Sequence, residues 1–277
     1  MFTRRRAVAL IAATEARHAV HGRLVQSFGG LFALLALGVA VAGLGASGQF
    51  LIQGFTRTAI SVLTLALYLL PLLGLVMGAT AFGTEDGGLE LLLAQPVART
   101  DVVLGRALGL GASMAGVGVA GFGLAGLLVT ATAGTEGLAG YLFVAGAGTA
   151  VGLAGLALGS LIGVLTRRRA AAVGAALAAW LVIAVLYDLI AIAALQLTGS
   201  GEPGPLLLAL LALNPIDGVR AVALVMLGAD VLLGPTGAAM QRLMHEGRGA
   251  LIVLGSLLLW CVVPVCGVCA VYRRRDF

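Results

Sequence analysis

The chain has 277 residues, 60% of them hydrophobic and only 10% charged. With a mean hydropathy of +1.09 it lies far outside the range of a soluble domain of this length, which makes it an integral membrane protein. Its formal charge of +5 requires no nucleic-acid partner, because the arginines that produce it flank apolar stretches, where anionic lipid headgroups receive them.

In chain order, residues 1–27 carry TRRRAVALIAATEARHAVHGR. The apolar run there is too short for an export signal, and acid and base follow it at once, so the segment reads as an uncleaved cytoplasmic interfacial helix. Six stretches approach or exceed the roughly 20 apolar residues a helix needs to cross the hydrocarbon core: 28–46, 60–82, 107–130, 138–165, 170–197 and 251–272. No period-two alternation supports a barrel, so the expected fold class is an all-α membrane protein of six transmembrane helices. Domain organisation follows: spans one to five in 28–198, with a cytoplasmic segment at 83–106, then a periplasmic connection with short helices at 199–249. The sixth span and a basic cytoplasmic tail occupy 250–277.

Orientation comes from the cations, which accumulate on the cytoplasmic side. Arg4, Arg5, Arg6, Arg17, Arg23, Arg99, Arg106, Arg167, Arg168, Arg169, Arg273, Arg274 and Arg275 fall in alternate flanks, which is 13 of 17. Arg57, Arg220, Arg242 and Arg248 fall in the others. Both termini and residues 83–106 are therefore expected in the cytoplasm of a multi-pass protein. Residues 206–233 are also largely apolar, but Asn214-Pro215 interrupts them and Arg220 and Asp230 follow. A seventh span there would put the last arginine cluster outside, so 199–249 reads as external short helices lying on the membrane surface or against a partner.

Lysine is absent, and all 17 cations are arginine. That excludes a phosphate-binding loop of the GxxxxGK[ST] type, so any ATP-driven work needs a separate subunit. Glycine is abundant, at 42 residues, and falls inside spans at four-residue spacing: Gly148 with Gly152, and Gly155, Gly159 and Gly163 in a run. Such spacing lets helices approach closely in lipid and predicts a tight bundle with little room for a wide pore. Pro71 and Pro264 are expected to bend their helices. Asp188, beside Tyr187 in the fifth span, is the one acid placed well inside a span. Such an acid is by default a functional candidate; the alternative is a place near the external interface, within reach of Gln196 or water. A single acid is not the connected polar path a proton-driven carrier or ion channel requires.

Metal chemistry has weak candidates. Cys266 and Cys269 share a helical face and Cys261 points elsewhere, which fits small apolar filling better than a thiolate site. Met240, Met244 and His245 place soft donors on the external side, where they could receive Cu(I). His18 and His21 read as surface positions. No Ser, His and Asp arrangement or carboxylate pair points to hydrolysis, so no catalytic residue is assigned.

Residues 83–106 read GTEDGGLELLLAQPVARTDVVLGR. Glu85 and Asp86 suit the positive end of a helix starting near Gly87 or Gly88. Leu89, Leu92 and Leu93 form one apolar stripe with Glu90 off it. Pro96 ends the helix, and Thr100-Asp101 can cap the next. The result is a short amphipathic helix held between two spans, with a stripe available to dock on a partner or to rest on lipid.

This stretch resembles the signature of ABC-2 type transporter permeases: an acid, GTLELLL, a proline, an arginine, then LGK at the next span. Glu85, Gly87, Leu89, Glu90, Leu91, Leu92, Pro96, Arg99, Leu104 and Gly105 match it, while Asp86, Gly88 and Arg106 depart from it. A narrower likeness, to permease subunits of the nitrous oxide reductase maturation transporter, rests on residues 184–195, with Tyr187-Asp188, and on LALNPIDGVRAV, with Asn214, Pro215, Asp217 and Arg220. The resemblance implies a type V-like permease in the bacterial inner membrane, coupled through Glu85, Asp86, Gly87, Glu90, Leu92, Pro96, Arg99 and Arg106 to a dimer of ATPase subunits that hold ATP and Mg. It also implies a second copy of this chain and a periplasmic copper-delivering protein docked near Asn214, Pro215, Asp217 and Arg220. Two other readings are an ABC-2 exporter of a drug, lipid or polysaccharide, and a membrane scaffold without ATP coupling.

Overall fold

The structure, a computed structural model, describes residues 4–45, 53–83, 98–135, 137–166, 168–197, 204–229, 241 and 248–274. Among the described residues every regular element is a helix. In order these are α1 (Arg4–His21), α2 (Arg23–Gly45), α3 (Gln53–Ala81), α4 (Arg99–Ala133) and α5 (Leu138–Leu165). There follow α6 (Arg169–Leu181), a π-helical turn (Val182–Leu186), α7 (Tyr187–Leu197), α8 (Gly204–Leu213), α9 (Pro215–Met226) and α10 (Arg248–Arg274). Among the described residues six helical stretches are long and apolar enough to cross a membrane: Arg23–Gly43, Thr58–Ala81, Arg99–Thr132, Leu138–Leu165, Arg169–Leu197 and Gly249–Arg274. They coincide with the six expected spans, the fifth formed by α6, the π turn and α7 together.

The most extensive helix pair is α3 with α5, side by side and running in the same direction. Gly155, Gly159 and Gly163 lie against the backbone of Pro71, Leu75 and Ala79, and Gly74 and Gly78 lie against the backbone of α5 in return. A Cβ on Gly155 would stand 2.7 Å from the Pro71 carbonyl oxygen, and one on Gly74 would stand 2.7 Å from the Leu156 nitrogen. Only hydrogen fits there. Where lipid removes the usual hydrophobic drive, this close approach is what holds the two helices together. The helix α3 continues through Pro71 and α10 through Pro264.

On the other side of α3 and α5 stands α4. Its 35 residues make a helix about 52 Å long, against a hydrocarbon core of about 30 Å. It begins at Arg99, before the apolar span at 107, because hydropathy marks the lipid-facing part and not the whole helix. The helices α1 and α2 run along it in the same direction. Ile11 packs at Gly105, Ala12 and Ala16 at Gly109, and Val117 at Gly29. Thus α1 lies along the first turns of α4. Farther up, Phe32, Phe122 and Tyr141 join α2, α4 and α5 by edge-on ring contacts at 5.3 and 6.2 Å, and the Tyr141 hydroxyl donates to the Phe122 carbonyl at 2.7 Å.

Within 199–249, an expected external connection, residues 204–229 form two helices that pack on the chain's own bundle. The helices α8 and α9 meet at 116° and pack into the bundle against α3, α5 and α10. Pro215, Ile216, Gly218, Val219, Ala221, Val222, Ala223 and Leu224 are buried. Apolar residues that flank Asn214-Pro215 explain this: a broken helix this apolar gains more from burial in the bundle than from an interface.

Replacing Gly159 by Leu should force α3 and α5 apart and abolish recovery of monodisperse protein in detergent. Gly123→Leu, at a position where a Cβ would meet nothing within 4 Å, should elute as wild type in the same size-exclusion assay.

Candidate functional site

At one end of the bundle the ends of α3 and α5 lie together, since Gly163 packs on Ala79. The start of α4 and the end of α10 join them there, where Arg99 donates to the Tyr272 carbonyl at 3.3 Å. This end carries Arg4, Arg99, Arg106, Arg168, Arg169, Arg273 and Arg274, and it flanks residues 84–97. Of the residues assigned to ATPase coupling, Glu85, Asp86, Gly87, Glu90, Leu92 and Pro96 lie outside the described residues.

The remaining two, Arg99 and Arg106, are bound within the chain. Arg106 is buried, its side chain 8% exposed, and it pairs with Glu15 of α1 at 3.2 Å. Its guanidinium stands over the Phe82 ring, 5.7 Å from the centroid. Asp101 does not cap α4: the helix starts after Ala98, which offers no side-chain cap. Sitting inside the first turn, the Asp101 carboxylate faces the positive end of the helix and accepts from Arg4 Nε at 2.7 Å. With Ser113 donating to the Ala16 carbonyl at 3.1 Å, α1 is fastened to α4 at both ends. The charged residues that border 84–97 therefore tie three elements, α1, α3 and α4, to one another.

The second polar constellation lies at the junction of α8 and α9. A helix end leaves carbonyls unpaired and a helix start leaves N–H groups unpaired, which hydrocarbon does not forgive. Neighbouring spans supply the partners. The Tyr187 hydroxyl donates to the Leu210 carbonyl at 2.7 Å and Ser256 to the Ala212 carbonyl at 2.6 Å. Asn214, 1% exposed, caps α9 by accepting from the Ile216 N–H at 3.0 Å, with Pro215 following at the first helical position. Its amide donates to the Ile183 carbonyl and to Asp217, both at 2.8 Å.

One turn on, Arg220 Nη1 reaches Asp188 and Asp217, each at 3.1 Å. Its Nη2 donates to the Tyr68 hydroxyl at 3.3 Å, and the guanidinium stands 5.8 Å from the centre of that ring. Asp188 is thus paired with Arg220. Asn214, Pro215, Asp217 and Arg220, read from the sequence as docking residues, are brought together with Asp188 inside the chain, and Asn214 and Pro215 are buried. Tyr68 and Ser256 escaped the sequence reading, and Tyr187 entered it only as the neighbour of Asp188. The pairing of Asp188 with Arg220 was open to it, since both charges lie in apolar surroundings that demand a partner.

Other candidates stay apart. Met240, Met244 and His245 lie outside the described residues; His18 and His21 are exposed on α1, and Cys266 is exposed on α10. Where α3, α5, α6, α9 and α10 meet there is a void of about 20 Å³, room for a single water at most. A far larger groove, about 660 Å³, opens sideways between α4 and α5, floored by Gly118, Gly123 and Gly126 and almost wholly apolar.

Arg106→Ala should strand the Glu15 carboxylate and cost on the order of 3 kcal/mol, lowering the melting temperature and speeding proteolysis of α1. Arg106→Lys keeps the charge but loses the flat guanidinium that lies on Phe82, and should fall between the two.

Comparison with known proteins agrees with this architecture. Residues 9–277 match the family described as ABC-2 family transporter protein. The chain is 32% identical to the probable ABC transporter permease protein NosY of Stutzerimonas stutzeri, over 96% of this chain and 97% of that one. It is 35% identical to the protein of the same name from Pseudomonas aeruginosa, with the same coverage of both chains. A family match along nearly the whole length, relatives named as probable permeases that match along 96% of the chain, and, among the described residues, six helices long and apolar enough to cross a membrane in the expected order show that the chain belongs to the ABC-2 family of transporter permeases.

Proposed function

We propose that this permease serves nitrous oxide reductase maturation, coupling ATP hydrolysis in a separate ATPase dimer, which holds ATP and Mg, to a periplasmic copper-delivering protein. The observation that carries the reading is the likeness to two probable NosY permeases along 96% of the chain. Lysine is absent from the sequence, which agrees with an ATP site on another subunit. The backbone-to-backbone seam between α3 and α5 suits a bundle that transmits motion as a stiff body.

In this reading the protein sits in the bacterial inner membrane as a pair with a second copy. Its basic end faces the cytoplasm and 83–106 is the coupling element. Region 199–249 faces the periplasm, where the junction at Asn214, Pro215, Asp217 and Arg220 shapes the docking surface, and Met240, Met244 and His245 are the positions from which copper contact would come. One observation favours a second reading, export of an apolar or lipid-like cargo: the groove between α4 and α5, whose walls are almost wholly apolar and whose hydroxyls, on Thr130, Tyr141 and Thr149, all donate to backbone carbonyls.

The test is co-purification from membranes that contain the cognate ATPase. Wild-type protein should bring the ATPase down, and Glu85→Arg with Glu90→Arg should reduce its recovery at least about tenfold, as expected when charge complementarity at an interface is inverted. Undiminished ATPase recovery would overturn the coupling role of 83–106. Capture of a periplasmic copper protein by the wild type supports the maturation role, whereas ATPase stimulation by apolar compounds without such capture supports the exporter.

A further inference from the structure

The polar bonds at the α8–α9 junction fall into two sets. One set stays within the hairpin: Asn214 to Ile216, Asn214 to Asp217, and Arg220 to Asp217. The other crosses to neighbouring spans: Asn214 to the Ile183 carbonyl, Arg220 to Asp188 and to the Tyr68 hydroxyl, Tyr187 to the Leu210 carbonyl, and Ser256 to the Ala212 carbonyl. If α9 leaves its seat, Asn214 and Arg220 each lose their crossing bonds and keep an internal partner. A buried arginine normally cannot be parted from its carboxylate without leaving a charge uncompensated. Here Asp217 travels with Arg220 on the same helix and keeps the guanidinium paired, and the carboxylate left behind is that of Asp188, whose side chain is 38% exposed.

The far side of the junction also has two arrangements open to it. Asn214 bonds the carbonyl of Ile183, which lies in the π turn Val182–Leu186, and Asp188 follows two residues after that turn. A π turn holds one residue more than the α-helix it interrupts, and such turns recur at functional sites. If the turn relaxed to α-helical form, α7 would rotate by about 100° and shift by about 1.5 Å relative to α6. Asp188 would then be carried away from Arg220. The π turn and the seated hairpin thus require each other: Asn214 holds the turn and Arg220 holds the carboxylate that the turn aims.

We infer that the α8–α9 hairpin is a two-position element geared to the fifth span, seated when the π turn is formed and released when that turn relaxes, with Asn214 and Arg220 as the positioning residues. The inference stands on these bonds and holds whatever cargo or partner the transporter serves.

Spin-label distances in the purified full chain in lipid nanodiscs test it, with Cys261, Cys266 and Cys269 replaced by Ser. A pair at Leu213 and Leu258, which are 63% and 58% exposed, reports the hairpin against α10. A pair at Leu177 and Ile192, 46% and 54% exposed, reports the register of α7 against α6. Wild type should give one dominant distance for each pair, the minor state staying below about 10%. Asn214→Ala and Arg220→Gln should each raise the second population roughly tenfold, the change expected for one lost charge-assisted or buried bond, and should do so for both pairs together. Arg220→Lys should restore the single distances in large part.

A hairpin distance that changes while the α6–α7 distance does not would overturn the gearing. Unchanged distances in variants that elute as wild type but melt earlier would show a static clamp and overturn the two-position element. Should Arg220→Gln fail to fold, Asn214→Ser carries the same readout with smaller perturbation.

Discussion

Everything else in this protein is arranged around the contact of α3 with α5, where glycines on both helices bring backbone against backbone. In a bilayer, two apolar helices gain nothing by hiding from water that is absent. Cohesion must come from dispersion over a large, closely fitted area, and each added methyl group at the seam would push that area apart. Because the two helices run the same way, their ends also coincide, so the seam fixes which segments share one end of the bundle. The helix α2, the long α4 and the hairpin are positioned against this pair, and α1 is joined to it through α4.

The second constraint is the demand for hydrogen-bond partners at a helix break. A bend at Asn214 exposes the last carbonyls of α8 and the first N–H groups of α9 to an apolar environment. Tyr187, Ser256 and Asn214 itself satisfy the groups described, and each does so with a side chain that also fixes an element in place. The cost of breaking a helix is thus turned into cohesion between elements far apart in the chain. The ion pairs of Arg220 add direction to this junction, since they hold one face of α9 toward α3 and α7.

Much of the architecture was legible from residues alone, because membrane thickness and hydropathy act locally. The spans, the cation asymmetry and the run Gly155, Gly159, Gly163 all depend on residues near one another in sequence. The junction was not legible in the same way. Asn214-Pro215 announced a break, with the capping residue and N1 proline both visible, yet where the broken piece would lie depended on Tyr187, Ile183 and Ser256, which no local pattern connects to it. Asp188 stood out as an unmatched acid although its partner was 32 positions away, a separation that only the fold closes. In the same way, Thr100-Asp101 has the composition of a cap, but the competing attraction of Arg4, brought close by α1, decides what Asp101 binds.

The bonds of the first turn of α4 have one more consequence. Arg4, at the start of the described chain, is held by Asp101, and the carbonyl of Tyr272, near its end, is held by Arg99. The start of α1 and the end of α10 are therefore held to a single helical turn of α4. Helices far apart in the chain thus share one mechanical unit. Fluorophores on α1 near Arg4 and on α10 near Tyr272 would form a strain gauge for that unit, whereas bulky groups at either place would load that one turn.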